Sequence, residues 1–217
     1  MALDSGRRRL QHGRMTETIA RLRIALVDAD PPIWRRVEVP VEASLKMLHD
    51  VIQGAMGWLD YHLWEFEAGG RRYGLPDPDW PEDGPAAAAN ARLAALIDRG
   101  VRRFDYLYDM GDSWEHEIIV EAVEAGASGV KYPRYVEGAR RAPPEDIGGM
   151  PGFHEFLEAI ANPRHPRHGE AIEWHRECYG EAFNPDTFDE RAARLRIGQI
   201  AKWRAAGKAS REKAGER

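Results

Sequence analysis

Imidazoles and carboxylates recur at close spacing in two parts of this 217-residue chain. His62, Asp105, Asp109, Asp112 and His116, with Trp114 between the last two, make up the first set. Glu145 and Asp146 make up the second, inside the stretch RRAPPEDIGGMPGF that runs from Arg140 to Phe153. Oxygen ligands together with imidazole suit a divalent metal, and a carboxylate beside a histidine suits general acid and base work. The metal reading takes His62, Asp112, His116, Glu145 and Asp146 as ligands. The wider functional cluster is Asp109, Asp112, Trp114, His116, Glu145 and Asp146. No H-E-x-x-H pair or EF-hand loop occurs, so spacing alone assigns neither a catalytic residue nor a particular ion. A structural alternative is equally easy to write. Asp112 follows Gly111 as a turn residue would, His116 can sit in the core bonded to backbone, and Glu145 and Asp146 can cap their own loop.

The second stretch is shaped by its backbone. Pro143 and Pro144 restrict their own φ and that of the preceding residue, while Gly148 and Gly149 admit φ values closed to other residues. Such a loop could offer amides to an anion, yet Glu145 and Asp146 put negative charge at the same place. No P-loop, G-x-S-x-G elbow or dinucleotide fingerprint is present. Pro166 separates His165 from His168 and argues for a solvated loop there. Cys178, the single cysteine, excludes an internal disulfide and a multi-cysteine zinc site, and reads as a small buried helix residue.

Hydrophobic periodicity supplies the elements that must position these groups. RLRIALV and IWRRVEV alternate as a hairpin, with Leu22, Ile24 and Leu26 facing Ile33, Val37 and Val39 and with Arg35 as the exception on that face. SLKMLHDVIQGAMG reads as a helix capped by Ser44 and ended by Gly57, with His49 and Asp50 outward. A hairpin turning at Gly69 and Gly70 follows, then a short helix capped by Asn90 and stopped by Gly100. In the third hairpin Trp114, His116, Ile118 and Val120 point one way, and Glu115, Glu117 and Glu121 the other. Beyond the shaped loop come FHEFLEAI, GEAIEWHRECYG and a last helix from about Thr187, where Thr187 and Glu190 have capping-box spacing. The order predicts an α+β fold, with an antiparallel or mixed sheet built from hairpins, helices packed to one side and a helical C-terminal part. The aromatic residues from Trp34 to Trp114 read as sheet core rather than as a base-stacking surface.

Composition bounds the function. Hydrophobic residues make up 43% and charged residues 31% of the chain, ordinary for a globular protein, and no apolar run is long enough to span a membrane. With no apolar signal segment the expected location is cytoplasmic. The net charge of −5 divides unevenly, into a body near −16 from Ile24 to Glu190 and tails near +4 and +7. Nucleic acid could therefore be approached only through the tails; otherwise Leu195, Ile200 and Trp203 pack on the body and the basic groups pair with its acids. The expected division is a mobile basic leader over 1–20, a domain over 21–195 and a basic helical tail over 196–217.

PPIWRRVEVP, LKMLHDVIQGAMGWLDYHLWEF, FDYLYDMGDSWEHEI, APPEDIGGMPGFHEFLEAI and FNPDTFD, in that order, resemble the plasmid pRiA4b ORF-3-like family. The resemblance covers about Leu22 to Leu195 and makes P-P-E-D-x-G-G and G-D-x-W-x-H its signatures. It implies a cytoplasmic protein of bacterial or archaeal type from a plasmid or insertion-element setting. Some relatives bear a resolvase-like label, but no recombinase pattern stands here. It also implies cysteines in many relatives where this chain has Tyr135, Ala142 and Ile147, and a histidine where it has Trp64, so a zinc site built on those positions would be lost. The function expected is a binding or interaction module with a protein partner, in which the two signatures pack together. The alternative is a metal-assisted hydrolase or nucleic-acid-processing accessory built on Asp112, His116, Glu145 and Asp146, with a divalent metal as its cofactor.

Overall fold

The structure is a computed structural model that describes residues 16–76 and 84–215, with side chains through 210. Its elements are β1 (Thr18–Leu26), β2 (Trp34–Pro40), α1 (Leu45–Met56), β3 (Trp64–Ala68), β4 (Arg71–Gly74), β5 (Ala86–Ala87), α2 (Leu93–Asp98), β6 (Arg103–Tyr108), β7 (Trp114–Ala125), β8 (Arg134–Ala139), α3 (Gly149–Ala161), α4 (His168–Tyr179) and α5 (Glu190–Gly215). The strands form a single sheet in the order β5-β4-β3-β6-β7-β1-β2-β8, antiparallel except at the short β4–β5 edge. The fold is α+β, and the hairpins β1–β2, β3–β4 and β6–β7 are those expected from alternation. β8, which alternation did not announce, pairs with β2.

Period-two patterning assigns the two faces. Tyr106 stands between Phe66 and His116, and Tyr108 between Trp64 and Trp114, and all six are buried. The opposite face carries cross-strand ion pairs such as Arg36 with Glu121 and Glu137, and Arg103 with Glu117. Exposed pairs of this kind contribute little each, so the helix-covered apolar face supplies most of the stability. Arg35 points into that apolar face, where its Nε donates to the Ala55 carbonyl and its Nη1 to those of Trp34 and Ala139, all at 2.8 Å. Phe188 covers the guanidinium at 3.6 Å. These bonds and this cover offset part of the cost of burying the charge, while Nη2 is buried without a hydrogen bond and burial lowers the guanidinium pKa to about 10.

α1 starts where the Ser44 hydroxyl accepts from the Met47 amide and ends at Gly57, with φ 95°. It is sandwiched between sheet and α5: a Cβ at Gly54 would lie 3.3 Å from the Arg196 Cβ. Cover on both sides corrects the outward placement of His49, which is fully buried. Three further expectations change. Arg92 rather than Asn90 is the N-cap residue of α2. At α5 the Asp189 carboxylate accepts from the Ala192 amide, while the Thr187 hydroxyl donates back to the Asn184 carbonyl, so the capping box is replaced by an aspartate cap. Cys178 is exposed on α4 rather than buried. α5 buries Ala193, Ile197 and Ala201, whereas Leu195 and Trp203 face outward. It runs without a break past residue 195. β1 opens at Thr18, inside the segment read as leader; positions 1–15 of that leader lie outside the described residues. Among the described residues, no helix is long and apolar enough to cross a membrane.

Candidate functional site

The turn between β6 and β7 is organised by Asp109. Its φ is 59°, its carbonyl accepts from the Ser113 amide at 2.7 Å, and its Oδ1 accepts from the amides of Gly111 and Asp112. Aspartate tolerates this left-handed geometry because its short side chain bonds its own turn. Asp112 then reaches the shaped loop: its Oδ2 accepts from the Gly148 amide at 3.1 Å. Gly149 opens α3 directly against it, and a Cβ there would stand 2.5 Å from the Asp112 carbonyl oxygen. The two signature segments are thus packed together through backbone.

Glu145 joins this junction to the connection between α1 and β3. Its carboxylate accepts from the Leu59 amide at 2.8 Å and from the Tyr108 hydroxyl at 3.1 and 3.2 Å, while its own amide donates to the Tyr179 hydroxyl. Burial pushes the Glu145 carboxyl above its usual range, against the opposing pull of those two donors. The Tyr108 oxygen also accepts from the Tyr61 amide, and burial followed by the neighbouring Glu145 charge pushes that phenol far above its ordinary value.

A second network holds the residue between. Gln53 Nε2 donates to the Tyr106 hydroxyl, which donates to His49 Nδ1; His49 Nε2 donates to Asp60; and the Asp60 amide closes the ring on Gln53 Oε1. An ionised carboxylate can only accept, which sets the tautomer of His49. Burial pushes this imidazole down to about 4. Three successive amides, Leu59, Asp60 and Tyr61, are therefore held by buried side chains. The side chains of Leu59, Tyr61 and Leu63 consequently project outward, 44%, 71% and 63% exposed, beside the exposed Met110.

His62 is the inward-turned member of this segment. Its Nε2 is buried, makes no hydrogen bond, and lies 3.2 Å from Asp146 Oδ1, 3.6 Å from Asp109 Oδ2 and 3.8 Å from Glu145 Oε2. The structure thus brings together His62, Asp109, Glu145 and Asp146 from the residues singled out in sequence. It does not bring Asp112, which caps the loop, or Asp105, which lies near Glu67 and Glu117 on the opposite sheet face. His116 also stands apart. It is fully buried, with Nδ1 3.2 Å from the Tyr106 carbonyl and its ring edge-on to Trp58, whose indole donates to the Pro143 carbonyl. Trp58 therefore connects His116 to the shaped loop. Trp114 is buried in the same aromatic group. A cleft of about 450 Å³ opens on the other side of Pro143, Pro144 and Glu145, toward Phe183 and Phe188.

His49, Gln53, Tyr106 and Tyr108 were missing from the sequence-derived set. One signal was present: His49 lies four residues after Leu45 and three before Ile52, on the buried helix face, with Gln53 one turn further on.

A protein from Sinorhizobium fredii (strain NBRC 101917 / NGR234), described as uncharacterized protein y4hQ, is 44% identical over 161 residues, covering 74% of this chain and 82% of its own. The crystal structure of the protein of unknown function MM3350 from Methanosarcina mazei Go1 superposes with a TM-score of 0.73 at 31% identity, covering 81% of this chain and 97% of that one. Residues 18–192 match the model of the plasmid pRiA4b ORF-3-like protein family, and the chain belongs to that family.

Proposed function

We propose that this chain is a non-catalytic, cytoplasmic binding module from a mobile-element setting, and that its working surface is the segment from Leu59 to Leu63 with Met110. The observation that carries the reading is the bonding of three successive amides by buried side chains, which presents Leu59, Tyr61 and Leu63 to solvent on a held backbone. Apolar side chains in a rigid exposed group are what binding surfaces are made of, and a backbone held in advance spares the partner the cost of ordering it. The partner fitting this surface is a protein segment with apolar anchors flanked by Lys or Arg, because the exposed carboxylates of Asp60 and Asp146 border the group and the body is near −16. Family membership supports the plasmid setting. A hydrolytic use of Asp112 and His116 is disfavoured by the capping bond of the first and the complete burial of the second.

Selection from a displayed peptide library on the full chain tests this. Enriched peptides are expected to combine aromatic or branched apolar residues with Lys or Arg, to weaken about tenfold or more on the double variant Tyr61→Ser, Leu63→Ser, and to weaken with salt. Peptides that bind wild type and double variant equally, or no enrichment at all, would overturn the assignment.

A further inference from the structure

We propose that His62, Asp109 and Asp146 hold a divalent transition-metal ion, with Glu145 as an adjoining carboxylate. This inference is independent of whether a partner docks on the neighbouring apolar group.

One atom in the cluster lacks the partner that burial demands. His62 Nε2 is shielded from solvent without a hydrogen bond, although three carboxylates surround it. Asp109 is 91% buried by its side chain, yet only its Oδ1 accepts amides, and Oδ2 is left directed at His62. Buried polar atoms are normally satisfied, and here the unsatisfied imidazole nitrogen faces an Asp109 oxygen that takes no amide bond.

The spacing suits an ion. Two ligands each about 2.1 Å from a metal stand about 3.0 Å apart at a right angle and about 3.6 Å apart at 120°. His62 Nε2 is 3.2 Å from Asp146 and 3.6 Å from Asp109, and ligand atoms of the three residues all lie within 4.8 Å of one another. One imidazole with carboxylates suits Zn²⁺ or Mn²⁺ better than Ca²⁺ or Mg²⁺, which take oxygen ligands. The ligands also have the support that metal ligands require: amides of Gly111 and Asp112 hold Asp109, and Tyr108 with the Leu59 amide holds Glu145. With three protein ligands, further coordination positions remain for water or an incoming group.

A second cluster, His49 with Asp50 and Asp60, also has ligand atoms within 4.8 Å of one another but is already filled. The Lys46 ammonium lies 2.5 Å from Asp50 and 3.9 Å from Asp60, and both nitrogens of His49 are hydrogen-bonded.

The full chain, stripped with chelator and dialysed, is titrated calorimetrically with ZnCl₂ and separately with MnCl₂, in the absence of any peptide. One ion per chain is expected for at least one of the two. Asp146→Asn, at an exposed position whose φ of 56° asparagine tolerates, should weaken binding about tenfold or more with an unchanged thermal melt. His62→Gln should abolish it, and Asp50→Asn should leave it unchanged. The proposal is overturned by an absence of saturable binding in the wild type, by binding indifferent to Asp146→Asn and His62→Gln, or by equal loss in Asp50→Asn.

Discussion

At Gly149 two constraints meet: a φ of 67° and an Asp112 carbonyl oxygen 2.5 Å from where a Cβ would stand. Gly148 has only the first, with φ 93° and its nearest neighbour 3.7 Å away. Replacing Gly149 by Val is therefore expected to destabilise by at least about 2 kcal/mol, and Gly148 by Ala by about 1 kcal/mol. Urea unfolding of both variants checks the order, and equal small losses would show that the carbonyl of Asp112 moves aside freely. The need for glycine was legible in the sequence, because prolines and paired glycines bracket an acidic dipeptide. Its docking partner was not, since Asp112 lies 36 residues earlier and only the hairpin's position in the sheet brings it close. The burial of His116 was similarly legible from alternation along β7. Its link to the shaped loop was not, because Trp58, which touches both, lies beyond α1 in the connection to β3.

The connection between α1 and β3 behaves as an element in its own right, although it has no regular structure. Its backbone bonds end on side chains of α1, β6 and the shaped loop, so its order depends on all three. The amides of Leu59, Asp60 and Tyr61 are thus expected to exchange slowly with solvent despite their exposed side chains. In Tyr108→Phe the Tyr61 amide loses its acceptor and Glu145 loses a donor. Protection should fall at Tyr61 while persisting at Asp60, whose acceptor is Gln53; uniform rapid exchange in the wild type would remove the idea of a held segment. Elements with strong periods were readable: α1 has its cap, stripe and terminal glycine, and β7 its strict alternation. β8 was unreadable because RYVEGA contains little apolar pattern and a glycine. That glycine is required by a neighbour, since a Cβ at Gly138 would meet the Arg35 Cδ at 2.8 Å. Such a pairing belongs to the sheet and leaves no local signal in the strand.

Across the whole molecule, the buried ionisable groups predict how stability responds to acid. Burial pushes His116 from about 6.5 down to about 4, as it does His49, so folding holds both imidazoles neutral. The unfolded chain takes up these protons first on acidification. Their contribution is complete above about 6.5 and is lost as pH falls toward 4, a gap worth roughly 3 kcal/mol for His116 at 1.36 kcal/mol per decade. Glu38 acts in the same direction at lower pH. Burial would raise its carboxyl, but the bonds and charges of Arg134 and Arg21 hold it below its usual range, and that contribution disappears as pH falls through the folded value. Glu145, raised by burial, opposes both, favouring the fold as it becomes protonated. Relief of repulsion in a body near −16 opposes them too, so a single denaturation curve cannot apportion the terms. A variant can. His116→Asn retains a donor for the Tyr106 carbonyl but does not titrate; it should be less stable than wild type at pH 7.5, with the difference shrinking by a few kcal/mol between pH 6.5 and 4. Urea unfolding of both proteins at half-unit pH steps measures that difference directly. A gap that stays constant across the interval would mean His116 titrates in the folded state as it does in the unfolded chain, contrary to its complete burial against Tyr106 and Trp58.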